Sequence, residues 1–589
     1  MVFLSLLYIA GFMDRGWIPH DEGMLGQSAE RVLSGELPHR DFDEPYTGGL
    51  AWLHALAFRL LGVNLLSLRW VLLAFSVPFT VALYAIACRL AAPLAAGLLT
   101  LLGVVWSLPN YFAGLPSWYN LFFATFGLWA FLKELETGRR FWLFLAGLSA
   151  GISLLFLIVG LYAVAAGLIF LAEREEWASH VSGLGSGENP LSFRLFKSLA
   201  CGAFLLALFW LCRAHLDPMG VIHFVLPSLA VTVVLLVDEF RSAHESARAR
   251  FATLGRLVVP YLLGVVVPVA GYVFFYLCRG AVRDLARGLF VLSQRQVAVG
   301  STSFPPATTL WTVVPGACLL AFSHRLGRRA EHALFLVLGV AAVTLMVTSG
   351  TPPIYDKVWN SARSLNVVAV VLGCWRLISR TGGRDDLLRH KSFLLVSACA
   401  LVGLVQFPFP APIYFCYFAP LVVLALASTA GAEAGTSKKL QALLLAFYFF
   451  FAIFRLNRAY VVRFLGLSLD TPLKLDRAGL RVTPEDARQY ETLIAAIRAK
   501  PSSLRFYAGP DSPEVYFLAA HPNLTRFFFD FREYDPGGLL HVLEEKQIDL
   551  VALNRAPHFS AVPSAEQSAA LQWRYPHWVT INRFVLMWR

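Results

Sequence analysis

Residues 19–62 read PHDEGMLGQSAERVLSGELPHRDFDEPYTGGLAWLHALAFRLLG. The stretch carries two acidic sets, Asp21 with Glu22 and then Asp41, Asp43 and Glu44, straight after the apolar segment MVFLSLLYIAGF. Carboxylates beside apolar surface are unfavourable unless they are solvated, paired or used. Trp17, Ile18 and Pro19 precede them, at the depth where tryptophan anchors in a membrane interface. Met24, Leu25, Ala29, Val32 and Leu33 follow at helical spacing, with Gly35 as a stop. A second amphipathic or apolar helix is expected over residues 50–61. A loop with two interfacial helices is a structured element that holds its acids in place.

Outward from this loop the chain is mostly membrane. It has 589 residues, of which 57% are hydrophobic and only 15% charged. A soluble protein would carry about 25% charged residues. Long apolar runs recur, so the spans are helices rather than a barrel's weakly alternating strands. The net charge of +12 is scattered in short loops, which argues for membrane topology and against nucleic acid. The eight cysteines lie in or beside apolar runs and form no C-x-x-C pair, so they read as small buried hydrophobes.

Fifteen apolar runs are found, at 1–13, 66–87, 91–108, 117–132, 141–157, 159–172, 199–213, 220–237, 257–278, 306–322, 333–348, 363–378, 392–407, 415–430 and 440–456. With the N-terminus in the cytoplasm, the basic loops around Arg89, Arg139, Arg174, Arg250, Arg329, Arg389 and Lys439 all fall inside. Residues 141–172 keep that pattern only as two helices around Gly160, which gives thirteen to fifteen membrane segments. The alternation places 14–47, 108–117, 279–305, 349–362, 408–414 and everything after 457 outside. The first run is short and has no basic start, so upstream residues are expected to precede it.

From about residue 470 the composition becomes mixed. Thr483-Pro484-Glu485-Asp486 is an N-cap with proline and acids in the first turn. Strand-like runs at 504–508, 525–531, 548–553 and 578–587 alternate with helix-like stretches at 512–520, 538–546 and 564–572. This predicts a small α/β domain over 470–589, separate from a membrane domain over 1–465. Asn523-Leu524-Thr525 matches a glycosylation sequon of a kind that occurs often by chance.

The loop 14–62 resembles the first external loop of the GT-C membrane glycosyltransferases, especially bacterial relatives of the protein O-mannosyltransferases and of the lipid A aminoarabinose transferase. The matching pattern is His20-Asp21-Glu22-Gly23, the helix ending in Leu33-Ser34-Gly35-Glu36-Leu37-Pro38-His39-Arg40-Asp41, and a second helix running to Gly62. Pro116-Ser117-Trp118-Tyr119-Asn120, the segment from Gln406-Phe407-Pro408 to Pro420, and Ala508-Gly509-Pro510-Asp511-Ser512-Pro513-Glu514 are similar as well.

The resemblance implies a GT-C-like fold in a bacterial inner membrane, with the active loop and tail extracytoplasmic. It implies transfer of a sugar from a polyprenyl-phosphate donor to a lipid, glycan or protein acceptor. Asp21 is then the base that takes the acceptor proton, with Glu22 as the alternative or a supporting acceptor. Partial desolvation raises a carboxyl group's pKa toward such use. Asp41, Asp43 and Glu44 have two uses open to them, orienting the acceptor or binding a divalent metal. The leaving polyprenyl phosphate needs cations. External candidates are Arg283, Arg287 and Arg295, and, near residue 350, Lys357 and Arg363. Some relatives carry a carboxylate in the second external loop, whereas residues 108–117 hold none, only Asn110 and Tyr111. That departure weighs against a metal role.

Three other classes share parts of the pattern. A lipid-linked sugar transporter or flippase would place ionisable residues at mid-membrane, yet buried charge reads as scarce, with Arg69 and Asp238 near segment ends. A non-catalytic envelope polysaccharide assembly protein would use the tail as a binding module. A lipid-linked oligosaccharide transferase would depend on a divalent metal.

Overall fold

A computed structural model describes residues 1–181, 191–241, 246–292, 304–379, 386–408, 410–430, 436–457, 469–529 and 538–589. The protein is a polytopic bundle of α-helices with a small α/β tail. Each of the fifteen apolar runs carries a helix. Nine helices among the described residues are long and apolar enough to cross a membrane, and shorter apolar helices such as Phe141–Phe156 lie between them. The break expected at Gly160 is present. Helix α7 (Phe141–Phe156) gives way to extended backbone at Leu157, and α8 (Leu161–Val181) follows one short turn later. A side chain at Gly160 would strike Ser153 and Leu154, so only glycine lets the chain fold back so closely.

The first loop forms as read. Helix α1 spans Val2–Ala10, α2 Pro19–Leu33 and α3 Gly49–Leu61, and α2 stops at a left-handed Gly35. Met24, Leu25, Ala29 and Val32 are buried, while Leu33 is exposed. The helix Ala247–Cys278 ends against this loop, where the Tyr272 hydroxyl donates to Thr47 O at 2.8 Å and the Tyr276 hydroxyl to Pro38 O at 3.1 Å.

The opposite end of the same helix carries Arg250, which corrects the expectation of scarce buried charge. Arg250 is fully buried and pairs with Glu175 and Glu239, both at 2.7 Å, while buried Lys197 reaches Glu176 at 2.9 Å and Glu239 at 3.1 Å. Asp238 pairs with Arg389, and His390 with Glu173. These groups sit at helix ends and satisfy one another, as buried ions must. The loop charges that the topology rule puts together do meet at one end of the bundle.

The tail has a two-stranded sheet, β1 (Thr471–Pro472) with β2 (Arg481–Val482), and a four-stranded sheet. In the latter β3 (Phe506–Gly509) runs parallel to β4 (Leu550–Asn554), which pairs antiparallel with β6 (Phe584–Trp588), and β5 (His577–Ile581) forms the edge. The strand expected over 525–531 is not present among its described residues, 525–529. Asn523 accepts from Thr525 N at 2.9 Å and donates to Phe527 O at 3.1 Å, occupying groups a ladder would use. The same bonds bury Asn523, so the sequon offers no free amide. The run 578–587 is a hairpin that turns at left-handed Asn582.

The tail keeps a small core of its own around Tyr507, Leu543, Val551 and Leu571. Its other half is not separate. Tyr490, Leu493, Val515 and Phe517 belong to the same apolar core as Leu25, Phe58 and Leu68. Trp17 accordingly anchors in the tail rather than in lipid, donating to Asp486 at 3.2 Å and packing on Tyr490. The tail helix Pro513–Ala519 lies so close to α2 that a Cβ at Gly23 would fall 2.2 Å from Glu514 N. Replacing Gly23 by alanine is therefore expected to push the two helices apart and to cost about 1–3 kcal/mol or more. Thermal unfolding and limited proteolysis of the tail measure this, and an unchanged midpoint would refute the close packing.

Candidate active site

Helix α2 begins at Ile18 in extended conformation, with Pro19 in its first turn beside Asp21 and Glu22. Acids there face the positive end of the helix. Adjacent helical residues point about 100° apart, so the acidic pair divides. Glu22 turns inward and is 1% exposed. It accepts from Arg69 Nε at 2.8 Å and Nη2 at 2.7 Å. Arg69, on α4 (Leu65–Ala87), also donates to Met13 O at 3.0 Å and Gly16 O at 2.5 Å. Glu22 is thereby committed to a fork-shaped ion pair that locks the start of α2 to α4.

Asp21 turns the other way. Its Oδ2 accepts from the Tyr111 hydroxyl at 2.8 Å, and its Oδ1 lies 3.7 Å from His20 Nε2. No arginine or lysine pairs with it among the described residues. Tyr46 and Tyr414 lie within reach of its charge. Burial, and after it the charge of Asp21, holds the hydroxyls of Tyr46 and Tyr111 well above the ordinary tyrosine range, so both remain O–H donors. Trp118 fixes Tyr111 by donating to its carbonyl at 3.0 Å. The result is a carboxylate held by a neutral donor and set near aromatic hydroxyls.

The second acidic set is spent on architecture. Asp41 accepts from Arg40 and from Leu37 N, both at 2.7 Å, and the Arg40 contact holds its carboxyl below the usual range. Asp43 reaches Arg526 of the tail at 3.3 Å, while Asp43 N donates to Arg526 O at 2.7 Å. Glu44 is buried and accepts from Ser28 Oγ at 2.5 Å and Tyr46 N at 3.3 Å, and burial pushes its carboxyl up to about 7. Three carboxyls with three different sets of partners do not converge. Among the described residues no group of three or more His, Cys, Asp or Glu is placed to hold a metal. Asp41, Asp43 and Glu44 as placed therefore do not form one ligand set for the divalent metal that the sequence left open.

Of the basic candidates, Arg283 and Arg287 are exposed on the helix Val282–Arg287, and Arg295 lies outside the described residues. Lys357 and Arg363 share the helix Pro352–Arg363. Lys357 and Asn360 line a mostly apolar cavity of about 670 Å³, walled by Val313, Leu320, Leu345 and Phe447. Arg363, on the same helix, is buried and donates to Asn360 Oδ1, itself a lining group, at 3.2 Å and to Pro410 O, with its Nε unpartnered. Pro410 lies four residues before Tyr414, which is within reach of the charge of Asp21.

The sequence missed Arg69, whose position near a span end hid its role, and Tyr46, Tyr414 and His20. It noted Tyr111 only for the lack of an acid nearby.

No family model and no curated protein matches the sequence. Solved structures do. The archaeal oligosaccharyltransferase AglB from Archaeoglobus fulgidus, in complex with an inhibitory peptide and a dolichol-phosphate, is similar over 94% of this chain and 69% of its own, at 12% identity and a TM-score of 0.43. The Archaeoglobus fulgidus oligosaccharyltransferase in complex with Zn and sulfate gives 11% identity and a TM-score of 0.44, over 94% of this chain and 67% of its own. ArnT from Cupriavidus metallidurans bound to undecaprenyl phosphate is similar over 100% of this chain and 96% of its own, at 11% identity and a TM-score of 0.35. Likenesses this distant assign no residue and no substrate to this chain.

Glu22→Gln leaves Arg69 buried without its counter-charge, and a loss of about 3–5 kcal/mol is expected. A thermal midpoint equal to that of the unaltered protein would remove the pair from its structural role. Glu44 behaves differently. With its carboxyl near 7 against an ordinary 4.5, the folded protein holds a proton that the unfolded chain has lost, so stability falls as pH rises through that window. The full effect is on the order of 3 kcal/mol. Glu44→Gln is expected to raise the unfolding midpoint at pH 8 and to bring little gain at pH 5, and equal gains at both would contradict it.

Proposed function

We propose that this protein is an inverting glycosyltransferase that moves a sugar from a polyprenyl-phosphate donor to an acceptor hydroxyl. The observation that carries the reading is the division of the acidic pair, with Glu22 consumed by Arg69 and Asp21 left with a tyrosine hydroxyl, a histidine and, among the described residues, no arginine or lysine. Asp21 Oδ takes the proton as the acceptor oxygen attacks the anomeric carbon. The bond from that carbon to the phosphate oxygen breaks with its electron pair going to the phosphate. One base suffices, and no covalent intermediate on the enzyme is required.

The donor assignment rests on the cavity beside Lys357. Its apolar walls suit an isoprenoid tail, and Lys357 and Asn360 supply cationic and polar groups for phosphate, with Arg363 bonded directly behind Asn360. Among the described residues no carboxylate pairs with the buried Arg363, and an anion nearby would balance its charge. Arg283 and Arg287 do not line this cavity and become secondary candidates. We place the loop 14–62 and the tail on the extracytoplasmic side of a bacterial inner membrane, because the basic loops gather at the other end of the bundle. The transporter reading is the weaker one, since the buried ions at that end pair with one another.

The test is reconstitution with polyprenyl-phosphate sugars, following release of polyprenyl phosphate. Asp21→Asn is expected to lower turnover by at least about 100-fold. Near-normal turnover would assign the base elsewhere. In the same preparation Arg363→Gln is expected to weaken binding of undecaprenyl phosphate, and an unchanged affinity would move the phosphate role to Arg283 and Arg287.

A further inference from the structure

The tail motif Ala508-Gly509-Pro510-Asp511-Ser512 takes no part in the chemistry above, yet Asp511 is buried and held in the left-handed region at φ 53°. Aspartate tolerates that conformation when its short side chain bonds locally. Here both carboxyl oxygens are aimed at one loop, residues 555–563. Oδ2 accepts from Phe559 N and Ser560 N, each at 2.7 Å, and Oδ1 from Ser560 Oγ at 2.7 Å. Asn554 secures the loop's entry, donating to Pro510 O at 3.1 Å and accepting from Ala556 N at 3.0 Å. The loop so held delivers two rings to the α2 site. His558 stacks on His20 with centroids 4.5 Å apart, and Phe559 stands edge-on to His20 at 5.3 Å and to Phe529 at 5.3 Å. His20 in turn lies 3.7 Å from Asp21. Phe559 remains 37% exposed and His558 is exposed.

We infer that residues 558 and 559, positioned by Asp511, form an acceptor platform beside Asp21, and that the acceptor presented there is a saccharide ring. The inference rests on the transfer reading above. An aromatic face carries partial negative charge and receives the C–H face of a sugar, while imidazole nitrogens at the ring edges meet its hydroxyls. A rigid ring stacked on the platform holds one hydroxyl toward the carboxylate, which is the positioning that direct displacement needs. An extended peptide would instead require main-chain groups. The N–H groups of residues 559 and 560 are already bound to Asp511, so the loop offers ring faces in their place. Asp511 acts through the loop and is a positioning residue.

The experiment uses the full chain in lipid nanodiscs with three probes: cellobiose, the peptide acetyl-Ala-Ser-Thr-Ala-amide, and undecaprenyl phosphate. Saturation-transfer NMR is expected to label the ring protons of cellobiose and not the peptide. Phe559→Ala and Asp511→Ala are expected to reduce the cellobiose signal by about threefold to tenfold, the scale of a lost aromatic contact. Asp511→Asn, which keeps one acceptor oxygen, is expected to fall between. Undecaprenyl phosphate affinity and the unfolding midpoint should stay unchanged in Phe559→Ala, a split that general damage to the fold would not give. A cellobiose signal indifferent to Phe559, labelling of the peptide instead, or labelling of neither probe would overturn the inference. If cellobiose binds through Phe559 while the unaltered protein takes up no undecaprenyl phosphate, the platform stands and the transfer reading falls.

Discussion

The ion pair between Arg69 and Glu22 fixes the place of everything else at this end of the molecule. Arg69 sits inside the bundle with its guanidinium shared between the Glu22 carboxylate and the carbonyls at the end of α1. Three pieces of chain are thereby held at one point: the exit of the first helix, the first turn of α2 and the body of α4. A buried pair of this kind adds little stability over an apolar contact, but breaking one half is strongly unfavourable. Its value lies in direction. With Glu22 turned inward by its partner, the residue before it has one place to go, and Asp21 emerges at the rim beside Tyr111. The side chain proposed for the chemistry is aimed by the neighbour that Arg69 holds inward.

Much of this architecture was legible in the chain. The period of Met24, Leu25, Ala29 and Val32 announced α2, Gly35 and Gly62 marked the helix ends, and Thr483 with Pro484 marked the helix that opens the tail. The alternation of basic loops gave the break at Gly160, which hydropathy alone would have missed. What stayed hidden has a common cause: it depends on partners distant in sequence. Asp21 and Glu22 are neighbours of nearly equal chemistry, and only the fold gives one of them Arg69. Asp41, Asp43 and Glu44 look like a ligand cluster because they are close in sequence, yet a tight turn sends them to Arg40, Arg526 and Ser28. The Asp511 carboxyl and the loop it holds are 48 residues apart, with no local pattern joining them.

The two ends of the bundle handle charge in opposite ways. At the end far from the tail, Arg250, Glu175, Glu239, Lys197 and Glu176 form a closed network across several helices, each ion answered by another. At the tail end the charges are divided. Some, such as Glu22 and Asp43, are neutralised by arginines, while Asp21 and Arg363 keep capacity in reserve. A closed network stiffens a scaffold, and groups with spare hydrogen-bonding capacity are what a ligand can meet.

The contact at Gly23 has a further consequence, for the order in which the protein comes into being. The surface that receives the helix Pro513–Ala519 belongs to α2, near the beginning of the chain, and the ring that stacks on His20 belongs to residue 558. The spanning helices are made between these two events. Throughout synthesis and insertion the loop with Asp21 therefore lacks one wall, and it gains that wall only when the tail returns to the first segment. The surroundings of Asp21 are thus completed late, by the meeting of early and late residues, and a half-made chain in the membrane carries the carboxylate without that wall.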